Sequence, residues 1–377
     1  MTINKVVLIP DSFKGTLTSQ EICTIISNKI NKHFPQCHVV SIPVADGGEG
    51  SVDCFLKALG GEKIYETVSS PYFENMESFY GIIEDTAVIE MAACAGLPLV
   101  EDRKDPSLTT TFGVGQLILA AAKKGCKKII VGLGGSCTND GGCGAAAAIG
   151  VKFYDKKGNE FIPVGKTLID IERIDLSERA KVLDNIEITT MCDIDNPMYG
   201  PTGAAYIFAP QKGANNEMVY ELDKGLESLC NVIYKETGKN LKDVPGSGAA
   251  GAMGAGMISF FDSKLQMGIE TVLDTVKFDD IIADADMIFT GEGKFDTQSL
   301  RGKVVIGVAK RAKTKDIPVT VIAGGAETNI DQAYDMGVTS IFTINRLPED
   351  FQISRNKSKD NLEATIDNIL RLIKSLK

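Results

Sequence analysis

Histidine is nearly missing from this chain. His33 and His38 are the only two among 377 residues, and both flank the end of the first helical pattern. A histidine-based catalytic or metal site is therefore disfavoured, and general-base work falls to carboxylates or lysine. Cysteine pairing signals are missing too. The nine cysteines (23, 37, 54, 94, 126, 137, 143, 192 and 230) are odd in number and contain no Cys-x-x-Cys. Neither a disulfide framework nor a zinc ribbon is supported, which leaves reduced thiols packed as small apolar groups. No apolar run is long enough to span a bilayer. No signal-peptide pattern precedes the first strand, which begins straight after Met-Thr-Ile-Asn. The expectation is a cytoplasmic protein with no membrane partner. Positive charge is in deficit, with 40 Lys and Arg against 50 Asp and Glu for a net −10. That argues against nucleic acid or an anionic membrane as partner. It leaves room for a small anionic substrate, because a local cluster of Lys, Arg and backbone N–H can reverse the field. Gly-x4-Gly-Lys-Ser/Thr is also absent, so the chain has no P-loop by sequence. Gly132-Leu-Gly-Gly-Ser-Cys and Gly291-Glu-Gly-Lys-Phe-Asp both break Gly-x-Gly-x-x-Gly at its last position, which disfavours a dinucleotide dehydrogenase.

What is present reads as an α/β enzyme. Hydrophobic residues make up 44% and charged residues 24%, ordinary for a globular chain. Single cores rarely exceed about 250–300 residues, so two domains are expected. Lys5 to Pro10 is a short apolar run of the kind buried in parallel sheets. Thr18-Ser-Gln-Glu21 has the capping-box pattern, followed by Ile22, Ile25, Ile26 and Ile30 at helical spacing. A strand over 38–44 and a helix over 51–59 complete βαβα. The C-terminal third repeats this style, with strands at 287–290, 318–323 and 340–344, a helix at 304–311 and a final amphipathic helix. The middle is less regular. Strands follow one another from Ile64 to Glu90, helices are expected over 113–125 and 216–234, and strands over 128–131 and 186–191. The expected fold is a doubly wound, Rossmann-like parallel-sheet domain (residues 1–62 plus 284–377) with a second α/β domain (63–283) inserted into it. Two linear domains are the alternative.

Five Gly/Asp clusters follow expected strands or open helices: Asp11-Ser-Phe-Lys-Gly15, Asp46-Gly-Gly-Glu-Gly50, Gly132 to Gly142, Cys192-Asp-Ile-Asp-Asn-Pro197, and Gly291-Glu-Gly-Lys-Phe-Asp296. Ligands of open α/β sheets bind beyond the carboxyl ends of strands, although any one cluster can be an ordinary turn. In Gly132 to Gly142, glycines allow close backbone approach to an anion. Ser136, Thr138 and Asn139 add polar side chains, while Asp140 would repel phosphate unless a metal or lysine intervenes. Lys14 can neutralise a carboxylate or phosphate, and Ser12 can donate to one. Asp46 and Glu49 can hold Mg²⁺, orient a hydroxyl, or simply cap a helix. Asp193 and Asp195 share one face of an extended chain and suit a metal ligand or a base for a substrate hydroxyl. Lys294, Arg301 and Lys303 are candidates for balancing phosphoryl charge. The Gly246 to Gly256 run reads as close helix packing or a hinge.

Taken together these clusters resemble the bacterial glycerate kinase family, the type without a P-loop. The matching pieces are Asp11 to Gly15, Ala45-Asp-Gly-Gly-Glu-Gly50, Gly132 to Gly142, Cys192 to Pro197 and Thr290 to Ser299, in family order across nearly the whole chain. Cys137 and Cys143 stand where small residues such as Ala are expected. The resemblance implies ATP-dependent phosphorylation of D-glycerate with Mg²⁺, to 2-phosphoglycerate, with 3-phosphoglycerate or another hydroxy acid as alternatives. It also implies a two-domain fold with an insertion. From the residues themselves, Ser12, Lys14, Gly134, Gly135, Ser136, Thr138 and Asn139 are expected to hold the substrate, with Asp193 accepting or positioning its hydroxyl. Lys294 and Lys303 are expected to stabilise the transferred phosphoryl group. Gly291, Glu292, Gly293, Asp296 and Arg301 are expected at the nucleotide, and Asp46, Glu49 and Asp195 at the metal. The site is expected in a cleft between the domains of a monomer or homodimer.

Overall fold

The computed structural model describes residues 3–44 and 48–376. In chain order its strands are β1 (Lys5–Pro10), β2 (His38–Ser41), β3 (Glu62–Ser69), β4 (Asn75–Ile83), β5 (Thr86–Glu90), β6 (Lys128–Gly132), β7 (Lys152–Tyr154), β8 (Glu160–Phe161), β9 (Arg173–Asp175), β10 (Glu187–Met191), β11 (Lys264–Gln266), β12 (Met287–Phe295), β13 (Val319–Ala326) and β14 (Val338–Thr343). The chain divides into two compact units. One comprises Met1–Ala45, Lys57–Leu59 and Met267–Lys377, the other Asp46–Leu56 and Gly60–Gln266.

The first unit holds a five-stranded sheet in the order β14-β13-β12-β1-β2, parallel throughout. Both faces are buried, as an all-parallel sheet requires. Val6 and Leu8 join a core with Ile22, Ile26, Leu362 and Ile366 of helices Ser19–His33 and Ser358–Ser375. The alternate residues Val7 and Ile9 are equally buried on the opposite side. The capping box forms: the Glu21 N–H donates to Thr18 Oγ1 at 3.2 Å and the Glu21 carboxylate accepts from the Thr18 N–H at 2.8 Å. From β1 the chain builds outward to β2 on one side, and β12, β13 and β14 build outward on the other. The crevice beyond β1 and β12 is thus a topological switch point, where doubly wound sheets bind ligands. The α/β, parallel-sheet expectation is met.

β12 corrects one detail. The sequence reading ends this strand at Thr290, yet it continues through Phe295 and pairs Lys294 with Gly325 and Phe295 with Ala326 of β13. The segment Gly291-Glu-Gly-Lys is therefore strand, not loop. Its glycines permit this, because a Cβ on Gly291 would be driven into the backbone of Ile322, and one on Gly324 into Gly293.

The second unit holds a six-stranded sheet in the order β11-β10-β6-β5-β4-β3. β11, β10, β6 and β5 run parallel, and β4 and β3 add an antiparallel edge. A small three-stranded sheet, β8-β7-β9, had no counterpart in the sequence reading. In the large sheet Glu90 pairs with Gly132, Gly132 with Met191, and Met191 with Gln266. The carboxyl ends of four parallel strands thus lie in one row, each about 4.8 Å from the next, and the candidate loops leave from that row. Among the described residues no helix is long and apolar enough to cross a membrane.

Candidate active site

In the second unit the loop after β6 is wrapped from several directions. Gly135 O accepts from the Leu97 N–H, and the Cys137 N–H donates to Ala95 O, at 2.8 and 2.9 Å. Thr109 Oγ1 donates to Cys137 O at 3.0 Å. Asp140 is completely buried and accepts four hydrogen bonds, from Thr111 N–H, Thr111 Oγ1, Gly142 N–H and Gly144 N–H, at 2.7–3.2 Å. Burial raises its carboxyl pKa, and the same four donors oppose the rise. The repulsion anticipated between Asp140 and an anion is thus damped locally, because the oxygens are committed to the protein. Gly135 is exposed and Gly134 half-buried, while Ser136, Thr138 and Asn139 are buried. Among the described residues, Thr138 Oγ1 and both polar atoms of the Asn139 amide find no hydrogen-bond partner.

Sequence reasoning missed Lys212. This lysine is 2% exposed, and its ammonium donates to Ser136 Oγ at 2.9 Å and Thr138 O at 2.7 Å. Burial pulls its pKa down to about 8, against the opposing pull of Cys137 and Asp140. In sequence it sits in Ala209-Pro-Gln-Lys-Gly213, which reads as a surface turn. Glu90 was missed as well. It closes β5, is 1% exposed, and accepts from the Gly50 N–H at 2.7 Å, anchoring the start of helix Ser51–Leu59. Its second oxygen has no partner, and burial raises its pKa against the amides of Gly50 and Val52.

The Gly246 to Gly256 run ties two candidate loops together. The Gly248 N–H donates to Asn196 O at 3.0 Å, and a Cβ on Gly246 would lie 2.9 Å from Cys192 Sγ. Further along, Gly251 O accepts from the Gly141 N–H at 3.1 Å, and a Cβ on Gly256 would lie 2.6 Å from Gly141 O. Between these contacts Ala250, Gly251 and Ala252 all have left-handed backbones, with φ of 55°, 67° and 64°. Of the expectations for this run, close packing is what the structure displays. Asp193 and Asp195, in the loop after β10, are exposed, as is Glu49. Asp46 lies outside the described residues. No cluster of three acidic, Cys or His side chains that could hold a metal occurs among the described residues.

In the first unit, β1 and β12 bring their candidates together. The Asp11 N–H donates to Gly291 O at 2.8 Å, and a Cβ on Gly293 would lie 3.2 Å from the Lys14 backbone nitrogen. Glu292 is 9% exposed and one of its oxygens has no partner. Burial pushes its pKa up to about 7, with Asp11 adding to the rise and the Ser299 hydroxyl and Lys303 opposing it. Lys294 is exposed and paired with Glu327 at 2.8 Å and Asp296 at 3.3 Å. Burial works against ionisation of Asp296, but Lys294 and the amides of Gln298 and Ser299 outweigh it and hold the pKa low. Lys14, Arg301 and Lys303 are exposed, and Ser12 is half-buried. Ser12 and Lys14 thus belong to one unit and Gly134 to Asn139 to the other. Gly324 and Gly325 at the end of β13 are a further glycine pair that the sequence reading passed over, and a Cβ on Gly325 would meet open space.

Comparison with known proteins relates nearly the whole chain to one family. The profile of the glycerate kinase family matches residues 6–374. A Bacillus cereus protein named glycerate kinase is 42% identical over 368 residues, 97% of either chain. An Escherichia coli protein named glycerate 2-kinase is 42% identical over 343 residues, 90% of either chain. A crystal structure from Salmonella typhimurium, described as glycerate kinase 2, superposes with a TM-score of 0.87 at 36% identity and 99% coverage of both chains.

Proposed function

This chain belongs to the glycerate kinase family, and from that premise we propose that it transfers the terminal phosphoryl group of ATP to D-glycerate, forming 2-phosphoglycerate. The observation that carries this reading is the full-length relationship to proteins named for glycerate phosphorylation, one of them a glycerate 2-kinase. The chemistry of the loops supports it. Phosphoryl transfer asks a protein for positioning and for charge stabilisation, and buried polar groups and cations at strand ends can supply both.

ATP supplies the phosphoryl group, and this chain's residues bind, orient and handle the proton. The Gly134 to Asn139 segment binds the hydroxy acid. Asp193, exposed after β10, accepts the proton of the attacking hydroxyl or positions that hydroxyl. Lys303 balances charge on the phosphoryl group, joined by Lys294 once it parts from Glu327 and Asp296. The open backbone at Gly325 and the unpartnered oxygen of Glu292 suit a nucleotide, whose groups can approach closely and supply the missing hydrogen bond. For Mg²⁺, Glu49 and Asp195 are the described candidate ligands. Such an ion is usually held by one or two carboxylates together with substrate phosphates, so these acids fit without a dedicated three-acid cage.

The test is a coupled assay with D-glycerate and Mg-ATP. Signal with enolase alone, without phosphoglycerate mutase, is the expected outcome for 2-phosphoglycerate. A signal that needs the mutase assigns the 3-phosphate, and a panel of hydroxy acids in which D-glycerate is not preferred overturns the substrate.

A further inference from the structure

Among the described residues no carboxylate lies within ion-pair reach of Lys212. Buried charges are ordinarily paired, because removing an ammonium from water is costly without a counter-charge. Lys212 is 2% exposed, yet its contacts are a hydroxyl and a carbonyl, Ser136 Oγ and Thr138 O. Asp140, a buried acid close enough to influence it, already accepts four donors of the protein, three at Oδ2 and one at Oδ1, and makes no ion pair with the lysine among the described residues. An ammonium carries three hydrogens, so one remains for a further acceptor. Around the same peptide, Thr138 Oγ1 and the Asn139 amide nitrogen and oxygen are buried without partners. A cation with hydrogen-bonding capacity to spare thus reaches a loop whose own hydroxyl and amide are unpartnered among the described residues, and their shared complement is a small anion bearing hydroxyl groups.

We propose that Lys212 is the counter-ion for the carboxylate of the hydroxy acid, with Thr138 and Asn139 completing its hydrogen bonds. The assignment rests on the reading of this chain as a D-glycerate kinase and adds a residue to it. Lys14 is exposed, whereas Lys212 is held away from water, where attraction between charges is less screened. Lysine gives a point charge rather than a planar fork, so the carboxylate is fixed by the neighbouring hydroxyl and amide as much as by the ammonium.

The test compares wild type with Lys212→Met, reading the KM for D-glycerate and for ATP separately and the thermal stabilisation each ligand confers. The expected result is a KM for D-glycerate raised about 10- to 100-fold, the usual worth of a hydrogen bond to a charged group, with the KM for ATP unchanged. D-glycerate should also cease to stabilise the variant against heating. A variant whose KM for D-glycerate is unchanged, or whose only defect is kcat, overturns the assignment, the second result placing the lysine on the phosphoryl group. If the variant does not fold, wild-type crystals soaked in D-glycerate decide, because the carboxylate must contact Nζ and its binding elsewhere refutes the proposal. A wild type active on D-glycerate with an unaffected variant refutes this inference alone. A wild type inactive on D-glycerate refutes the function and the inference with it.

Discussion

Gly251→Ala tests whether the left-handed segment holds the β6 loop in place. Gly251 has φ +67°, and a Cβ there would lie 2.6 Å from Asn139 Cα and closer still to Thr138 O. Both neighbours are backbone, so neither can swing aside as a side-chain tip would, and the loop must retreat by most of an ångström. Overpacking of this kind costs about 1–3 kcal/mol, and a left-handed alanine adds about 1–2 kcal/mol. The combined cost of roughly 2–5 kcal/mol corresponds to a fall in Tm of about 5–15 °C for a unit of this size. Thr138 O also accepts the Lys212 ammonium at 2.7 Å, so the displacement should raise the KM for D-glycerate while sparing that for ATP. Ala250→Gly supplies the contrast. Its φ of 55° already strains an alanine, so glycine should be neutral or stabilising by up to about 1 kcal/mol, after the greater freedom of glycine in the unfolded chain is subtracted. Calorimetric scans of both variants, together with steady-state kinetics, are the assay. A Gly251→Ala protein that melts within about 1 °C of wild type refutes the packing argument, and an Ala250→Gly protein destabilised to the same degree refutes the strain argument.

Asp193→Asn should lower kcat by about 10²–10⁴ if this residue handles the hydroxyl proton, and near-wild-type kcat removes it from that role. Asp140→Ala leaves up to four buried donors without an acceptor. At about 1–3 kcal/mol each the loss should come to a few kcal/mol in urea unfolding, and a loss below about 1 kcal/mol would contradict the hydrogen-bond account. Glu292, pushed up to about 7, retains its proton in the folded state over a range where the unfolded chain has lost it. Its contribution to stability is therefore complete below about pH 4.5 and is lost as pH rises to about 7. Glu292→Gln should gain stability relative to wild type between these limits, and a difference between the two proteins that does not change from pH 4.5 to 8 would refute the shift. Lys212, drawn down to about 8 with Cys137 and Asp140 the charged or titratable groups acting on it, should lose its proton above that pH, so the KM for D-glycerate should climb there.

Local pattern made much of the fold legible. The apolar run of β1, the Thr18 capping box and the succession of strands from Glu62 to Glu90 are set by neighbours within a few residues, and all appear in the structure. What escaped depends on distant partners. β12 outlasts its apolar stretch because glycines on β13, some 30 residues away, allow two backbones to stay paired. The strands β7, β8 and β9 are only two or three residues long, too short for a period of two to be visible. In the sites, glycine and aspartate announced the loops, because tight turns and anion contacts require those residue types. Lys212 and Glu90 did not, since a lone lysine or glutamate reads as surface until the fold buries it.

The treatment of opposite charges in the β6 loop bears on how such a site can bind an anion while burying an acid beside it. A buried carboxylate next to an anion is repulsive in isolation. Here Asp140 is tied to Thr111, Gly142 and Gly144, so its charge is spread into backbone dipoles and serves to hold the loop and the start of helix Cys143–Ala148. Lys212 is treated in the opposite way, bonded to Ser136 and Thr138 and, among the described residues, left without a counter-charge in contact. If the acid instead served to neutralise the lysine, replacing both by neutral isosteres would preserve substrate affinity. If the acid shapes the loop and the lysine serves the ligand, the double variant Asp140→Asn/Lys212→Met should lose affinity for D-glycerate as fully as Lys212→Met alone. The single Asp140→Asn variant should lose stability while retaining much of its affinity. A cycle of the four proteins, read by both unfolding and D-glycerate binding, separates the two arrangements.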